Sequence, residues 1–420
     1  MKNHAIKARE ALMNRLEAQD AVLLFSGKSP HKSLDQDYAY TPQRNFFYLT
    51  NLSEPNLILF MLKGEDKEKT YLFVEENTKH IIQWEGARIT KSEASERSGI
   101  PEANILYTKQ FEGLFNQTMN YARSIMGTPP TRLYLDLYHP DFNRKPQGLL
   151  HSEGLIERYP ELATANVNKH LSYLRMFKSD EELTMIKKAI GHTRKGLERI
   201  LSNIKKRDME YQLQADFLHE ITLSGSEGNA FDTIAACGEN ATVLHYVDNK
   251  DALSKDKLIL FDLGALHGNY ASDISRTYPL SGTFTKRQRE LYEIVLKVNK
   301  ETIKEVRPGQ TWNGLNTFAR EMLAKEAVKA GVIDKEEAIK DVYYHSIGHF
   351  MGLDVHDVGH YDLPFEKGMV LTVEPGLYVK EEGIGIRIED DILVTEDGYE
   401  NLSQSIPKEA DAIEQWINAS

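Results

Sequence analysis

The segment Tyr343–Asp362, YYHSIGHFMGLDVHDVGHYD, sets four histidines (His345, His349, His356 and His360) into an apolar run broken by Gly348, Gly352 and Gly359. A solvated loop has no need of Phe350, Met351, Leu353 and Val355 between its imidazoles, and a plain core has no need of so many titratable rings. A site with chemistry accounts for both. Segments of matching character lie on either side. Downstream, MVLTVEPGLYV (369–379) and GIGIRIEDDILVT (383–395) are apolar, strand-like runs, each with a glutamate in its interior. Upstream, LILFDLGALHGNYASDISRTYPL (258–280) carries two aspartates in the same way.

The 420 residues, 41% hydrophobic and 27% charged, suit a soluble globular protein with room for two domains. A formal charge of -12 argues against nucleic acid or an anionic membrane as partner, since both reward a basic face. The single cysteine, Cys237, excludes an internal disulfide framework and fits a reducing compartment. It sits among Ala and Gly, as a small packing residue would. The opening MKNHAIKAREALMNRLEAQD is charged throughout and leads only to the short run Ala21–Phe25. Neither a secretory signal nor a membrane span is expected, and the cytoplasm is the expected location.

Residues 1–170 read as a mixed α/β domain: an amphipathic helix, then β-rich runs AVLLF, NFFYLT, LILFML and TYLFVEE. A second domain, 171–420, is expected to begin near Leu171. Just beyond it Ser179 and Glu182 form a capping box, with Leu183, Ile186 and Ile190 following at helical spacing. Helices then alternate with strands to the end. The two carboxylate-bearing strand pairs hint at a duplicated half-domain.

The first pair reads as a hairpin turning at Gly268-Asn269, where His267 faces Tyr270. Asp262 then faces Ser275, with Asp273 diagonal to it on the same face. Diagonal neighbours lie about 7–8 Å apart at the backbone, so both side chains can reach a metal pair spaced about 3.5–4 Å. If the second pair turns at Glu381-Glu382, Glu374 lies opposite Glu389, with Pro375 as a source of distortion. One carboxylate alone is ordinarily just solvated. Four in apolar strands repel one another and are costly to bury unless cations neutralise them. Four carboxylates and an imidazole, with no thiolate, suit manganese, iron(II), cobalt or a catalytic zinc. His345 and His349 have the i, i+4 spacing of a zinc-peptidase helix, but Ser346 stands where that motif needs glutamate.

These segments resemble the pita-bread metallopeptidases, and within them the aminopeptidase P (Xaa-Pro aminopeptidase) family. The motifs are FDLGALHGNYASDISRTYP, HSIGHFMGLDVHDVG, LTVEPGLYV and GIRIEDDILVT, with DQDYAYTPQRNFFYLTNLSEP in the N-terminal part. The resemblance covers nearly the whole chain. It implies an α+β architecture, with an aminopeptidase P-type N-terminal domain and a catalytic domain on a curved, mainly antiparallel sheet. Implied as ligands of two divalent ions, Mn2+ first, with Co2+, Fe2+ or Zn2+ as alternatives, are Asp262, Asp273, His349, Glu374 and Glu389. Asp273 and Glu389 would bridge. His245 and His356 are implied to act on the substrate, with His345 nearby in the pocket.

In that reading the metals activate a water and Glu374 moves protons. His356 and His245 donate to the oxyanion or to substrate carbonyls. Arg387 shares the strand parity of Glu389, and Tyr378 that of Glu374, so both are expected at the site as supporting groups. Trp84 reads as ordinary core or, through the resemblance, as a residue lining a neighbouring subunit's pocket, and a homo-oligomer (dimer or tetramer) is expected. The expected substrates are peptides with proline second. Two alternatives remain at this point: prolidase, which shares the ligands but takes only Xaa-Pro dipeptides, and a pita-bread binding protein without catalysis.

Overall fold

The structure, a computed structural model, describes residues 1–139 and 142–419. The chain divides into two compact units, Met1–Leu174 and Arg175–Ser420, the division falling inside the helix Asn168–Met176.

The first unit is built on a six-stranded sheet ordered Ile105–Tyr107, Glu68–Val74, Ile58–Lys63, Asp20–Phe25, Arg132–Leu135 and Ala163–Asn166. Ile58–Lys63 runs antiparallel to both its neighbours, and the remaining pairs are parallel. Alternate residues of these strands, Leu23, Phe60 and Phe73 among them, meet Phe111 and Phe115 in one core. The Phe111 ring stands edge-on to Phe73 at 5.2 Å and to Phe60 at 6.2 Å. Each buried ring of this kind contributes about 1.5–3 kcal/mol through removal of apolar area from water.

One expected strand is a helix. NFFYLT lies in Arg44–Thr50, closed by Asn51 in the left-handed region at φ 56°. A short, continuously apolar run has no period that separates strand from helix. Here all six of its residues are buried. The Asn45 amide fixes the helix by donating to Asp136 Oδ2 at 2.8 Å and Asn168 Oδ1 at 2.7 Å.

The second unit opens on the helix Asp180–Asn203, whose Ser179–Glu182 capping box forms, burying Ile186 and Ile190. Its sheets are antiparallel throughout. The first hairpin has the expected register: His267 pairs Tyr270, and Asp262 pairs Ser275. Gly268 (φ 59°) and Asn269 (φ 65°) supply the two positive φ angles of its two-residue turn. Thr193, buried on the helix Asp180–Asn203, pins the irregular stretch before Asp273. Its hydroxyl lies 2.7 Å from Ser272 Oγ and accepts from Ala265 N at 2.9 Å.

In the second hairpin Val370–Val373 pairs Asp390–Val394, and Gly376–Val379 pairs Ile384–Arg387, in one continuous register turning at Glu381-Glu382. That register sets Glu374 opposite Glu389. The ladder breaks between the two halves, where Pro375 has no N–H to give. There Glu374 N turns to Ile347 O at 2.9 Å and Glu389 N to Ser275 O at 3.1 Å. Asn299, buried on the helix Lys286–Lys304, donates its amide to both Val373 O and Ile388 O at 3.1 Å. No helix among the described residues is long and apolar enough to cross a membrane.

Candidate metal centre

The two hairpins and the histidine segment converge on a cavity of about 440 Å³ in the second unit. Nine residues expected at a site line it: His245, Asp262, Asp273, His345, His349, His356, Glu374, Arg387 and Glu389. Leu244, Ser346, Gly348 and Tyr361 complete its wall. Tyr378 stands just behind it, its hydroxyl touching His345 and Arg387.

Three overlapping groups of side chains have donor atoms close enough to share an ion. They are Asp262, Asp273 and Glu389; His349, Glu374 and Glu389; and Asp273, His349 and His356. The five expected ligands therefore form one contiguous set, with Asp273, His349 and Glu389 each belonging to two groups. His356 also reaches it, its ring centroid 4.0 Å from that of His349.

The donor set fits divalent cations. Asp262 Oδ1 and Asp273 Oδ1 are buried with no hydrogen-bond partner among the described residues. Burial, together with the Asp262 carboxylate, pushes Asp273 well above the ordinary carboxyl range. Burial and Asp273 do the same to Glu389. Burial raises Glu374 too, against the opposing pull of His349 and Arg387. So many acids cannot all ionise together in one dry pocket unless cations compensate them. His349 is oriented for the same purpose. Its Nδ1 lies 3.0 Å from Phe350 O, so the ring proton sits there and the Nε2 lone pair faces Asp273 Oδ2 (3.4 Å) and Glu374 Oε1 (3.6 Å).

Behind the carboxylates runs a buried chain of hydrogen bonds centred on Arg387. Its Nη2 donates to Asp262 Oδ2 at 2.7 Å, its Nε to Ser275 Oγ at 2.7 Å, and its Nη1 to Tyr378 Oη at 3.0 Å. Ser275 itself donates its hydroxyl to Glu389 Oε2 at 2.8 Å. Tyr378 in turn lies 2.8 Å from His345 Nε2, and the other nitrogen of His345 is 2.7 Å from Ser346 O. Burial and Arg387 push the His345 imidazole down to about 3, so the neutral ring accepts from the Tyr378 hydroxyl. Both its nitrogens are thus engaged, which makes His345 a holder of Tyr378. His356 and His245 are the exposed imidazoles. Partial burial beside His349 and His245 pushes His356 down to about 4, leaving a neutral ring with one N–H to donate.

Two residues were set apart by the sequence for other reasons. Burial pushes the Cys237 thiol up, in keeping with a packing role on the strand Ile234–Cys237. Trp84 is not core: it is 77% exposed and stacks on His80 at 5.7 Å, on a helix that buries none of its residues. The role of Ser275 was missed, although strand parity sets it opposite Asp262.

Residues 184–396 match the model of metallopeptidase family M24, and residues 5–126 that of the aminopeptidase P N-terminal domain. The Xaa-Pro aminopeptidase of Escherichia coli strain K12 is 32% identical, the alignment covering 99% of this chain and 97% of that protein. That of Haemophilus influenzae is 30% identical, covering 98% and 96%. A zinc-substituted E. coli aminopeptidase P in complex with product superposes with a TM-score of 0.89 at 29% identity, covering 100% of this chain and 98% of that one. With the M24 model spanning half its length and these relatives matching nearly all of it, the chain belongs to metallopeptidase family M24, in its aminopeptidase P branch.

Proposed function

We propose that this protein is a metal-dependent Xaa-Pro aminopeptidase, releasing the N-terminal residue from peptides whose second residue is proline. One observation carries the reading: Asp262, Asp273, His349, Glu374 and Glu389 converge in one cavity with orphaned carboxylate oxygens. The Xaa-Pro aminopeptidases at 30% and 32% identity support the same chemistry. We assign these five as the residues that would hold two divalent ions, Mn2+ first, with Asp273 and Glu389 shared between the two. Co2+, Fe2+ and Zn2+ also suit the oxygen-rich donors.

Cations held there supply Lewis acidity, which makes water nucleophilic near neutral pH and polarises the scissile carbonyl. The chain's own groups do the rest. Glu374 takes a proton from the attacking water and returns it to the departing proline nitrogen. The neutral ring of His356, together with His245, donates to the oxyanion or to a substrate carbonyl. Arg387 and Tyr378 hold Asp262 and His345, and through Ser275 also Glu389, at fixed distances.

Among the described residues lining the cavity, the one guanidinium is Arg387, already committed to Asp262, Ser275 and Tyr378. No uncommitted guanidinium or ammonium in the lining awaits a dipeptide's terminal carboxylate, which favours longer peptides over the dipeptides that prolidase takes. The intact ligand set disfavours a binding protein without catalysis. We assign 1–170 as the N-terminal domain, 171–420 as the catalytic pita-bread domain, and the cytoplasm as location. A homo-oligomer, dimer or tetramer, would give the exposed Trp84 a partner. The deciding test loads the protein with manganese and analyses the products from an Xaa-Pro dipeptide and a longer Xaa-Pro peptide. Release of one free amino acid from the longer peptide supports the assignment. Cleavage confined to the dipeptide moves it to prolidase, and no cleavage of either favours the binding protein.

A further inference from the structure

The histidine segment leaves the cavity through Leu353–Val358, and a buried carboxylate anchors it there. Asp357, next to His356, is 4% exposed and touches two cations from the segment that opens the second unit. Arg175 Nη2 lies 2.5 Å from its Oδ1, and Lys178 Nζ 3.1 Å from its Oδ2. The same Arg175 nitrogen reaches Asp354 Oδ2 at 2.8 Å, bracketing the residues on both sides of His356. The cations are themselves fixed, since Lys178 Nζ donates to Arg175 O at 2.6 Å and Lys178 N to Gly368 O at 2.8 Å.

The backbone closes around the same group. Asp357 N donates to Phe350 O at 2.8 Å, so the chain returns to the residue after His349. Gly352 lies so close that a Cβ there would meet Asp357 Oδ2 at 2.2 Å and Lys178 Cε at 2.8 Å. Burial alone would push the Asp357 carboxyl up, but Arg175 and Lys178 outweigh it and hold the group below the ordinary carboxylate range. None of the three charged groups lines the cavity. Desolvating three charges costs several kcal/mol per ion and is only roughly offset by their attraction, so such clusters add little net stability. What this one supplies is a single position for the loop.

We propose that Asp357, clamped by Arg175 and Lys178, is a positioning residue that fixes the His356 imidazole beside His349 and against the substrate. The proposal rests on the reading that His356 acts on substrate, and a double-mutant cycle separates the two. The cycle uses the full-length, manganese-loaded protein and the variants Asp357→Asn, Lys178→Met and His356→Ala, with each of the first two also combined with the third. Lys178→Met leaves the Arg175–Asp357 ion pair in place, and decides the matter if Asp357→Asn does not fold. Asp357→Asn is expected to lower kcat by about tenfold or more and Lys178→Met by less, with metal content unchanged. In the His356→Ala background either change should alter kcat by less than about twofold, because the group it positions is gone. A full multiplicative loss in that background overturns the positioning role. Unchanged kcat in His356→Ala alone overturns the reading of His356 instead.

Discussion

Ser275 donates its hydroxyl to Glu389 Oε2 at 2.8 Å, while its oxygen accepts from Arg387 Nε. One hydroxyl therefore joins a proposed bridging ligand to the guanidinium that also holds Asp262. Ser275→Ala should lower metal affinity by about 10–100-fold, the usual effect of removing a partner that orients a ligand. Metal titration of the variant checks this, and an unchanged affinity would show that the other contacts of Glu389 suffice.

Chelation should abolish hydrolysis, and manganese or cobalt should restore it, because the buried acids around Asp273 need a cation to ionise together. Asp273→Ala and Glu389→Ala should each lose metal as well as activity. Elemental analysis finding two tightly held ions in either variant would contradict the bridging assignment.

His356→Ala tests a closer distinction, because His356 lies within reach of the ligand set as well as of substrate. The expected outcome is full metal occupancy with kcat lowered by about 10²–10³-fold, as for removal of one oxyanion donor. Loss of metal in proportion to activity would make His356 a ligand.

Acid stability has a marker away from the cavity. Asp216 accepts from Arg207 Nε and Nη2 at 2.8 Å and from Arg199 Nε at 3.4 Å. Burial would raise its carboxyl, but the two arginines prevail and lower it. A depressed folded-state value means stability that is present above the unfolded value of about 3.9 and lost as pH falls through the folded one. Asp216→Asn should thus unfold at lower temperature near neutrality, with the gap closing below about pH 4. A gap independent of pH would show that the loss comes from packing.

The proposed centre was legible because its geometry follows from local rules. The turn at Gly268-Asn269 fixes which face Asp262 and Asp273 share, and the turn at Glu381-Glu382 sets Glu374 opposite Glu389. Period-two alternation carries each decision along the strand. Elsewhere that logic failed. NFFYLT has β-type composition but no alternation, so its pattern could not separate strand from helix, and it is a helix buried along its length. Trp84 was open between core and neighbour because hydrophobicity alone does not say what covers a ring, and here it is exposed. The clamp on Asp357 left no signal, since Arg175 and Lys178 lie about 180 positions earlier and long-range charge pairing has no sequence period.

Asn299 ties together, from outside the cavity, the two strands that carry Glu374 and Glu389. The two strands lose their ladder over Glu374-Pro375 and Ile388-Glu389, keeping only a 3.3 Å bond from Ile388 N to Pro375 O. One amide on a neighbouring helix spans the gap, gripping the carbonyls just before Glu374 and Glu389. A spacer of this kind uncouples the separation of the acids from their identity. Repacking the helix Lys286–Lys304 should therefore move Glu374 and Glu389 relative to each other while every donor stays in place.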